Sequence, residues 1–132
     1  MSLSQTKSNT SFVYLVALIC LLAVAIFMFS KSDFFLIDSI SLEGLNNVAG
    51  DEVERLLGTV KGENIFLVDT GALAQKLKLH PLINEAHITK KYPGTLVIQI
   101  QERLPAALIL NKDKMVEVDS QGVILRYYDT WP

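Results

Sequence analysis

One uninterrupted apolar stretch, from Phe12 to Phe29, limits what this chain can fold into. It contains eighteen residues and no charged side chain, proline or glycine. As an α-helix it would be about 27 Å long, which is enough to cross the hydrocarbon core of a bilayer. The roughly 100 other residues cannot form a core large enough to enclose such a helix. The stretch therefore predicts a single transmembrane helix over residues 12–30, in contact with the lipid bilayer.

A cleavable signal peptide is the main alternative for this stretch. The apolar run is longer than the about 7–15 residues of a signal-peptide core, and no small-x-small cleavage site follows it. An uncleaved anchor is therefore the favoured interpretation. Lys7 precedes the span, whereas Lys31 after it is balanced by Asp33, so the positive-inside rule leans slightly towards a cytoplasmic N-terminus. Residues 1–11 would then form a short cytoplasmic tail.

The composition argues against several classes of function. The 132-residue chain has a net charge of −2 and no basic stripe, so a nucleic-acid partner has little support. Its one cysteine, Cys20, lies inside the predicted span, so there is no disulfide framework. His80 and His87 have no companions at metal-ligand spacing, and we interpret both as solvated surface residues. No nucleophile motif, phosphate loop or carboxylate pair is recognisable, so the sequence predicts no enzyme, metal, cofactor or small-molecule substrate.

A β-hairpin is predicted in the second half of the chain. Alternating apolar residues in both of its strands indicate one buried face, with Ile88 and Ile98 on it. A two-residue loop would place Ile88 opposite Gln99 and mix the faces, because a one-residue shift turns every side chain over. An odd loop is therefore required. It has three residues, Tyr92–Gly94, with Gly94 in the left-handed conformation, or it has five.

The elements before the hairpin follow from periodicity. Alternating apolar residues around Ile40 predict a strand, and an apolar stripe at helical spacing from Val53 to Val60 predicts an amphipathic helix. A second helix, capped by Asp69 or Thr70, is expected to end at Pro81. The order β-α-α-β-β predicts a three-stranded mixed sheet with both helices on one face. The expected core consists of Ile40, Leu42, Val53, Leu56, Leu57, Phe66, Leu73, Leu77, Ile88, Leu96, Ile98 and Ile100.

Several short motifs, taken in this order, point to one bacterial family. They are Phe35-x-Ile37-x-x-Ile40-x-Leu42-x-Gly44, Gly62-x-Asn64-Ile65-Phe66-x-x-Asp69, Leu77…Pro81…Ala86-x-Ile88, Tyr92-Pro93-x-Thr95-Leu96-x-Ile98-x-Ile100 and Glu102-Arg103-x-Pro105-x-Ala107. Together with the upstream membrane helix, they resemble the bacterial cell-division family FtsQ/DivIB, whose members carry a POTRA domain. The run from Met115 to Val123 looks like the first hairpin of that family's second, β domain. The resemblance implies an α+β chain with a POTRA domain at residues 31–105 and the start of a β domain at residues 106–132.

The chain departs from this family in two respects. Ala49 stands where the family often has a serine or threonine helix cap. The sequence stops at Pro132, whereas family members continue through distal strands that bind the partners FtsB and FtsL. We therefore expect a β domain truncated after its first strands, compromised binding of FtsB- and FtsL-type partners, and an exposed strand edge.

The resemblance implies a non-catalytic, single-pass scaffold of the cell inner (plasma) membrane at the division septum. Its POTRA domain would be extracytoplasmic and would recruit and link other divisome proteins. The physical means would be addition of a strand to the free sheet edge formed by residues 85–91. The candidate partner-site residues are Glu85, Ile88, Lys90 and Glu102. Charges that merely keep an edge strand soluble explain each residue taken singly equally well.

An alternative function keeps the fold and changes the pathway. A POTRA module could act like a chaperone in protein export or outer-membrane assembly. Proteins of that class usually have a cleaved signal, so loss of residues 1–30 from the mature chain would favour it.

Overall fold

The computed structural model describes residues 7–130. Its first element, α1, is a 24-residue helix over Lys7–Ser30. Within the segment Asn9–Ser30 of this helix, an 18-residue stretch has a mean hydropathy of 3.0 and contains no buried residue. A helix of this length and composition can cross a membrane, as the sequence predicted. The first six residues of the predicted cytoplasmic tail lie outside the described part of the chain.

The predicted α+β fold is confirmed after this helix. A short 3-10 turn, Asp33–Phe35, leads into β1 (Ser39–Glu43), which is followed by α2 (Gly50–Leu57), α3 (Thr70–Leu77), β2 (Ile83–Lys91) and β3 (Thr95–Glu102). The three strands form one sheet in the order β1-β3-β2. β1 is parallel to β3, whereas β2 is antiparallel to it, so the sheet is mixed.

The hairpin has the register required by its apolar pattern. Ile88 lies opposite Ile98, and the three-residue loop Tyr92–Gly94 joins the strands. The expected left-handed glycine is wrong: Gly94 has no positive φ, and the peptide bond before Pro93 is cis. Glycine is needed here because the carbonyl of Leu36 occupies the space that a β-carbon would take.

The core lies between the sheet and the two helices. Of the predicted set, Val53, Leu57, Leu77, Leu96, Ile98 and Ile100 are buried, whereas Ile40, Leu42, Leu56, Leu73 and Ile88 are only partly buried. Seven buried residues, among them Ile65 and Ile83, were not in the predicted set. Phe66 is 45% exposed, and its neighbour Ile65 is fully buried instead. Ile83 is also fully buried, because a bulge between Ile83 and Glu85 shifts the strand register and turns Ile83 inward. The buried residues are Ile37, Val48, Val53, Leu57, Val60, Ile65, Val68, Leu77, Ile83, Ala86, Leu96, Ile98 and Ile100.

A second antiparallel sheet follows, with the order β4-β5-β6. It consists of β4 (Pro105–Asn111), β5 (Lys114–Asp119) and β6 (Ile124–Tyr128). β4 is an edge strand of this sheet, and every one of its residues is exposed. The predicted domain limits, residues 31–105 and 106–132, stay predictions.

An ion pair joins the two sheets. The Arg103 guanidinium donates to the carboxylate of Asp119 over 2.8 Å, and both side chains are largely buried. Burial alone would raise the pKa of Asp119, but N–H donors from Val123, Arg103 and Gln121 stabilise the carboxylate and lower the pKa below its ordinary value. The second sheet is therefore fixed to the end of β3 by a charge-assisted hydrogen bond.

Candidate partner-binding edge of the sheet

Strand β2 forms one edge of the first sheet. It pairs with β3 on one side, and no strand of residues 7–130 pairs with its other side. Three of the four candidate residues, Glu85, Ile88 and Lys90, lie on this strand. The strand therefore has a side on which its backbone can pair with an added strand.

The candidate residues on β2 point to two faces. Ile88 and Lys90 lie opposite Ile98 and Leu96, so they share the face of the core, and both are half-buried. Glu85 lies on the opposite face and forms a 3.3 Å ion pair with Lys78 at the end of α3. Because this pair is partly exposed, its contribution to stability is small. Its charge, together with that of Lys90, discourages unspecific pairing of edge strands.

Glu102 has a different position. It lies on the central strand β3, opposite Ile83, and not on the free edge. Its carboxylate accepts hydrogen bonds from the backbone N–H groups of Asn46, Asn47 and Val48, at distances from 2.7 to 2.9 Å. These donors make it an internal clasp for the loop between β1 and α2.

The surroundings of Glu102 favour its charged form. Burial works to raise the pKa of the carboxyl group, but the N–H groups of Asn46, Val48 and Asn47 together outweigh burial and lower the pKa below its ordinary value of 4.5. Several N–H donors converging on one carboxylate are a common cause of such a shift. If Glu102 contributes to a partner site, it does so by holding this loop in place.

The two histidines differ from each other. His87 is exposed on β2, as predicted. His80 is not a solvated surface residue: its side chain is only 12% exposed, and its Nε2 lies 3.1 Å from a carboxylate oxygen of Glu52. Its Nδ1 accepts a hydrogen bond from the N–H of Leu82, so Nε2 must carry the proton that is donated to Glu52. This contact ties α2 to the turn before β2. His80 lies in that turn and not in a helix, because α3 ends at Leu77, four residues before the predicted end at Pro81.

The junction between α1 and the first domain contains residues to which the sequence assigned no role. The Asn64 side-chain amide donates to the carbonyl of Ser30, the last residue of α1, over 2.7 Å. The N–H of Ile65 donates to the carbonyl of Phe35, and the N–H of Ile37 donates to the carbonyl of Glu63. The membrane helix is thus held directly against the domain. The only sign of this junction in the sequence was the motif Gly62-x-Asn64-Ile65, which contains two of the residues that form it.

Metal ligands and clefts are the other features that could form a site. No group of histidine, cysteine or acidic side chains among residues 7–130 could hold a metal ion. A cleft of about 480 Å³ lies where the two sheets meet, lined by Asn46, Glu102, Arg103 and Asp119 among others. The charged groups in this cleft are occupied by the hydrogen bonds described above. The candidate residues Glu85, Ile88 and Lys90 thus lie on a strand, β2, that is at one edge of the sheet.

A single apolar helix followed at once by a β-α-α-β-β domain defines the class of membrane-anchored POTRA proteins. Residues 35–103, more than half of the chain, match the model of the POTRA domain of the FtsQ type. The chain therefore belongs to the FtsQ family.

Three relatives are each named cell division protein FtsQ. The protein from Anaeromyxobacter sp. (strain K) is 32% identical over 96 residues, which are 73% of this chain and 32% of the relative. The protein from Syntrophotalea carbinolica is 30% identical over 79% of this chain and 38% of the relative. The protein from Novosphingobium aromaticivorans is 34% identical over 69% of this chain and 28% of the relative. The chain thus spans about a third of the length of these relatives.

Proposed function

We propose that this protein is a non-catalytic scaffold of bacterial cell division that recruits partner proteins through the free edge of β2. Membership of the FtsQ family supports a role in the divisome. The proposal depends on one observation above all, the unpaired side of β2 within a domain that is fixed to a membrane helix. An edge strand binds an extended segment through backbone hydrogen bonds, and the neighbouring side chains select the partner.

A pair of proline substitutions tests the edge. Backbone N–H groups alternate in direction along a strand, so of Thr89→Pro and Lys90→Pro one removes an outward donor and the other removes a donor to β3. The variant that loses the donor to β3 is expected to be less stable by about 1–3 kcal/mol, because a carbonyl of β3 is left without its partner. The outward variant should keep most of its stability and lose midcell recruitment of a tagged copy in cells depleted of the native protein.

Thermal unfolding identifies which variant is which, and fluorescence microscopy measures the recruitment. The matched substitution Lys90→Gln removes the charge but keeps the N–H group, so it should still be recruited. Normal midcell localisation of the more stable proline variant would refute binding at this edge.

We propose that the N-terminus is cytoplasmic and that the POTRA domain lies outside the inner membrane. The support is the positive charge of Lys7 before the span, compared with Lys31 and Asp33 together after it. In a Cys20→Ser chain, Lys91→Cys should react with a membrane-impermeant maleimide in cells whose outer envelope alone is permeabilised. Ser4→Cys, the paired control, should react only after the inner membrane is lysed. The reverse pattern would establish the opposite topology.

The export alternative has weaker support. The relatives that match are named cell division proteins, which favours division over export. N-terminal sequencing of the mature protein separates the two, because a chaperone-like export module is expected to lose residues 1–30.

A further inference from the structure

Five aromatic rings form a continuous chain from the end of α1 to the hairpin loop. Within α1 and the 3-10 turn, the rings of Phe29, Phe34 and Phe35 contact one another, with centroids 5.2 to 6.1 Å apart. Phe35 contacts Phe66 at 4.8 Å, and Phe66 stacks on Tyr92 at 5.2 Å. This row of rings thus adds side-chain contacts between α1 and the domain to the hydrogen bond from Asn64 to Ser30.

Most of these rings are uncovered. Phe34, Phe66 and Tyr92, called the aromatic patch below, are 59%, 45% and 55% exposed. Only Phe35 among the five packs against the buried core. Aromatic rings gathered on one exposed surface are unusual for a domain surrounded by water, and they indicate a surface that is covered by something else.

The occupant follows from where the patch begins. Ser30 is the last residue of the candidate span, and Asn64, two residues before Phe66, bonds to its carbonyl. The patch therefore starts at the level where a spanning helix leaves the hydrocarbon core. This interfacial zone is only about 5–8 Å thick on each side. Aromatic rings are enriched there because they are apolar with a polar edge, and the Tyr92 hydroxyl suits such a site.

The polar groups at the junction are compatible with that zone. The N–H of Phe34 is bonded to the side chain of Ser32, and the N–H of Phe35 to its carbonyl, so the turn has no cost of unpaired donors there. The Ser30 hydroxyl is also satisfied, because it donates to the carbonyl of Phe27 over 2.8 Å.

We propose that the aromatic patch inserts into the boundary between lipid headgroups and acyl chains of the bilayer that α1 spans. The hairpin loop would rest on the lipid, and the free edge of β2 would start at the membrane surface. This inference rests on the proposed membrane anchoring and adds a second contact with the lipid, made by the folded domain itself.

Tryptophan quenching tests the contact in the full chain. In a Trp131→Phe background, single tryptophans are introduced by Tyr92→Trp, Phe66→Trp, Leu21→Trp or Tyr127→Trp. The chains are reconstituted into two kinds of vesicle of phosphatidylethanolamine and phosphatidylglycerol. Lipid brominated near the headgroup end of the acyl chains reports on positions 92, 66 and 127, and lipid brominated near the methyl end reports on position 21, which is about 13 Å below Ser30 in the middle of the span. Each change replaces a leucine or an aromatic residue that is at least 45% exposed, so the fold is expected to be retained.

Tyr127 provides the matched control for Tyr92. It is also an exposed tyrosine, 64% accessible, but it lies on the second sheet. Arg103 joins that sheet to the far end of β3, which is about 23 Å from the hairpin loop. A tryptophan at position 127 should therefore remain unquenched by the brominated lipid.

The expected result is quenching of the tryptophans at positions 92 and 66 by at least about twofold relative to position 127. The tryptophan at position 21 distinguishes failure of the lipid contact of the patch from failure of the membrane anchor itself. Quenching at position 21 without quenching at 92 and 66 would overturn the lipid contact and leave the anchor intact. No quenching at position 21 would overturn both. A blue shift at position 92 without quenching would overturn the lipid contact in favour of a protein surface.

Discussion

Gly44→Ala is expected to lower the free energy of unfolding of the POTRA domain by about 2–5 kcal/mol. Gly44 ends β1 with a φ of +82°, a conformation that costs a residue with a β-carbon about 1–2 kcal/mol. In addition, the added β-carbon would run into the backbone carbonyl of Ile100. A backbone carbonyl in the central strand cannot move aside without disturbing the sheet, so an overpacking cost of about 1–3 kcal/mol is added.

Gly62→Ala is the matched control for this prediction. Gly62 has a similar φ of +90°, but an added β-carbon there would meet no atom within 4 Å. It should therefore show only the conformational cost of about 1–2 kcal/mol. Urea denaturation of the full chain in detergent micelles, followed by circular dichroism, measures both. Equal losses in the two variants would contradict the role assigned to the Ile100 carbonyl.

Glu102→Ala is expected to cost about 2–4 kcal/mol, because it leaves the N–H groups of the loop without their charged acceptor. The loop must then satisfy the donors of Asn46, Asn47 and Val48 with water. Glu85→Ala is the control, since its partly exposed ion pair with Lys78 contributes less than about 1 kcal/mol. A loss no larger than that of Glu85→Ala would show that the clasp contributes little.

The same clasp predicts a dependence on pH. The folded pKa of Glu102 is lowered, so its contribution is complete above the ordinary value of 4.5 and is lost as pH falls through the folded pKa. Glu102→Gln has no charge at any pH. The stability difference between the wild type and Glu102→Gln should be largest near neutrality and should shrink below about pH 4.5. A difference that stays constant down to pH 3 would argue against a charged clasp.

Much of the fold could be read from local patterns. The odd loop length of the hairpin followed from the parity of Ile88 and Ile98, because a wrong register would have exposed one apolar face. The helices were predicted by their stripes and start signals, and Asp69 does cap α3 by accepting from the N–H of Ala72. Ala49 begins α2 without a side-chain hydrogen bond, which agrees with the departure from the family pattern.

The predictions of buried residues were wrong where the local sequence pattern does not show which side chain points towards the core. In the short run that contains Ile65 and Phe66 there is no clear period, so either residue could have been the buried one. Ile83 was missed because a bulge reverses the parity of its strand, and such an insertion has no signature in the sequence. His80 was predicted as solvated because its partner Glu52 is 28 residues away.

The candidate site divides in the same way. That β2 is an edge strand follows from the order of elements once the fold is recognised. The role of Glu102 away from that edge could not be predicted from the sequence, because the N–H groups that bind it come from a loop more than 50 residues earlier in the chain.

The sequence by itself determined the membrane helix, the order β-α-α-β-β, the hairpin register and the family. These depend on composition and on periods of two to four residues, which are properties of neighbouring positions. Only the tertiary structure decided how the domain is held against its anchor, through Asn64 and the ring contacts, and which carboxylate serves as an internal clasp. Those contacts join residues far apart in the chain, and their geometry exists only when the core has formed.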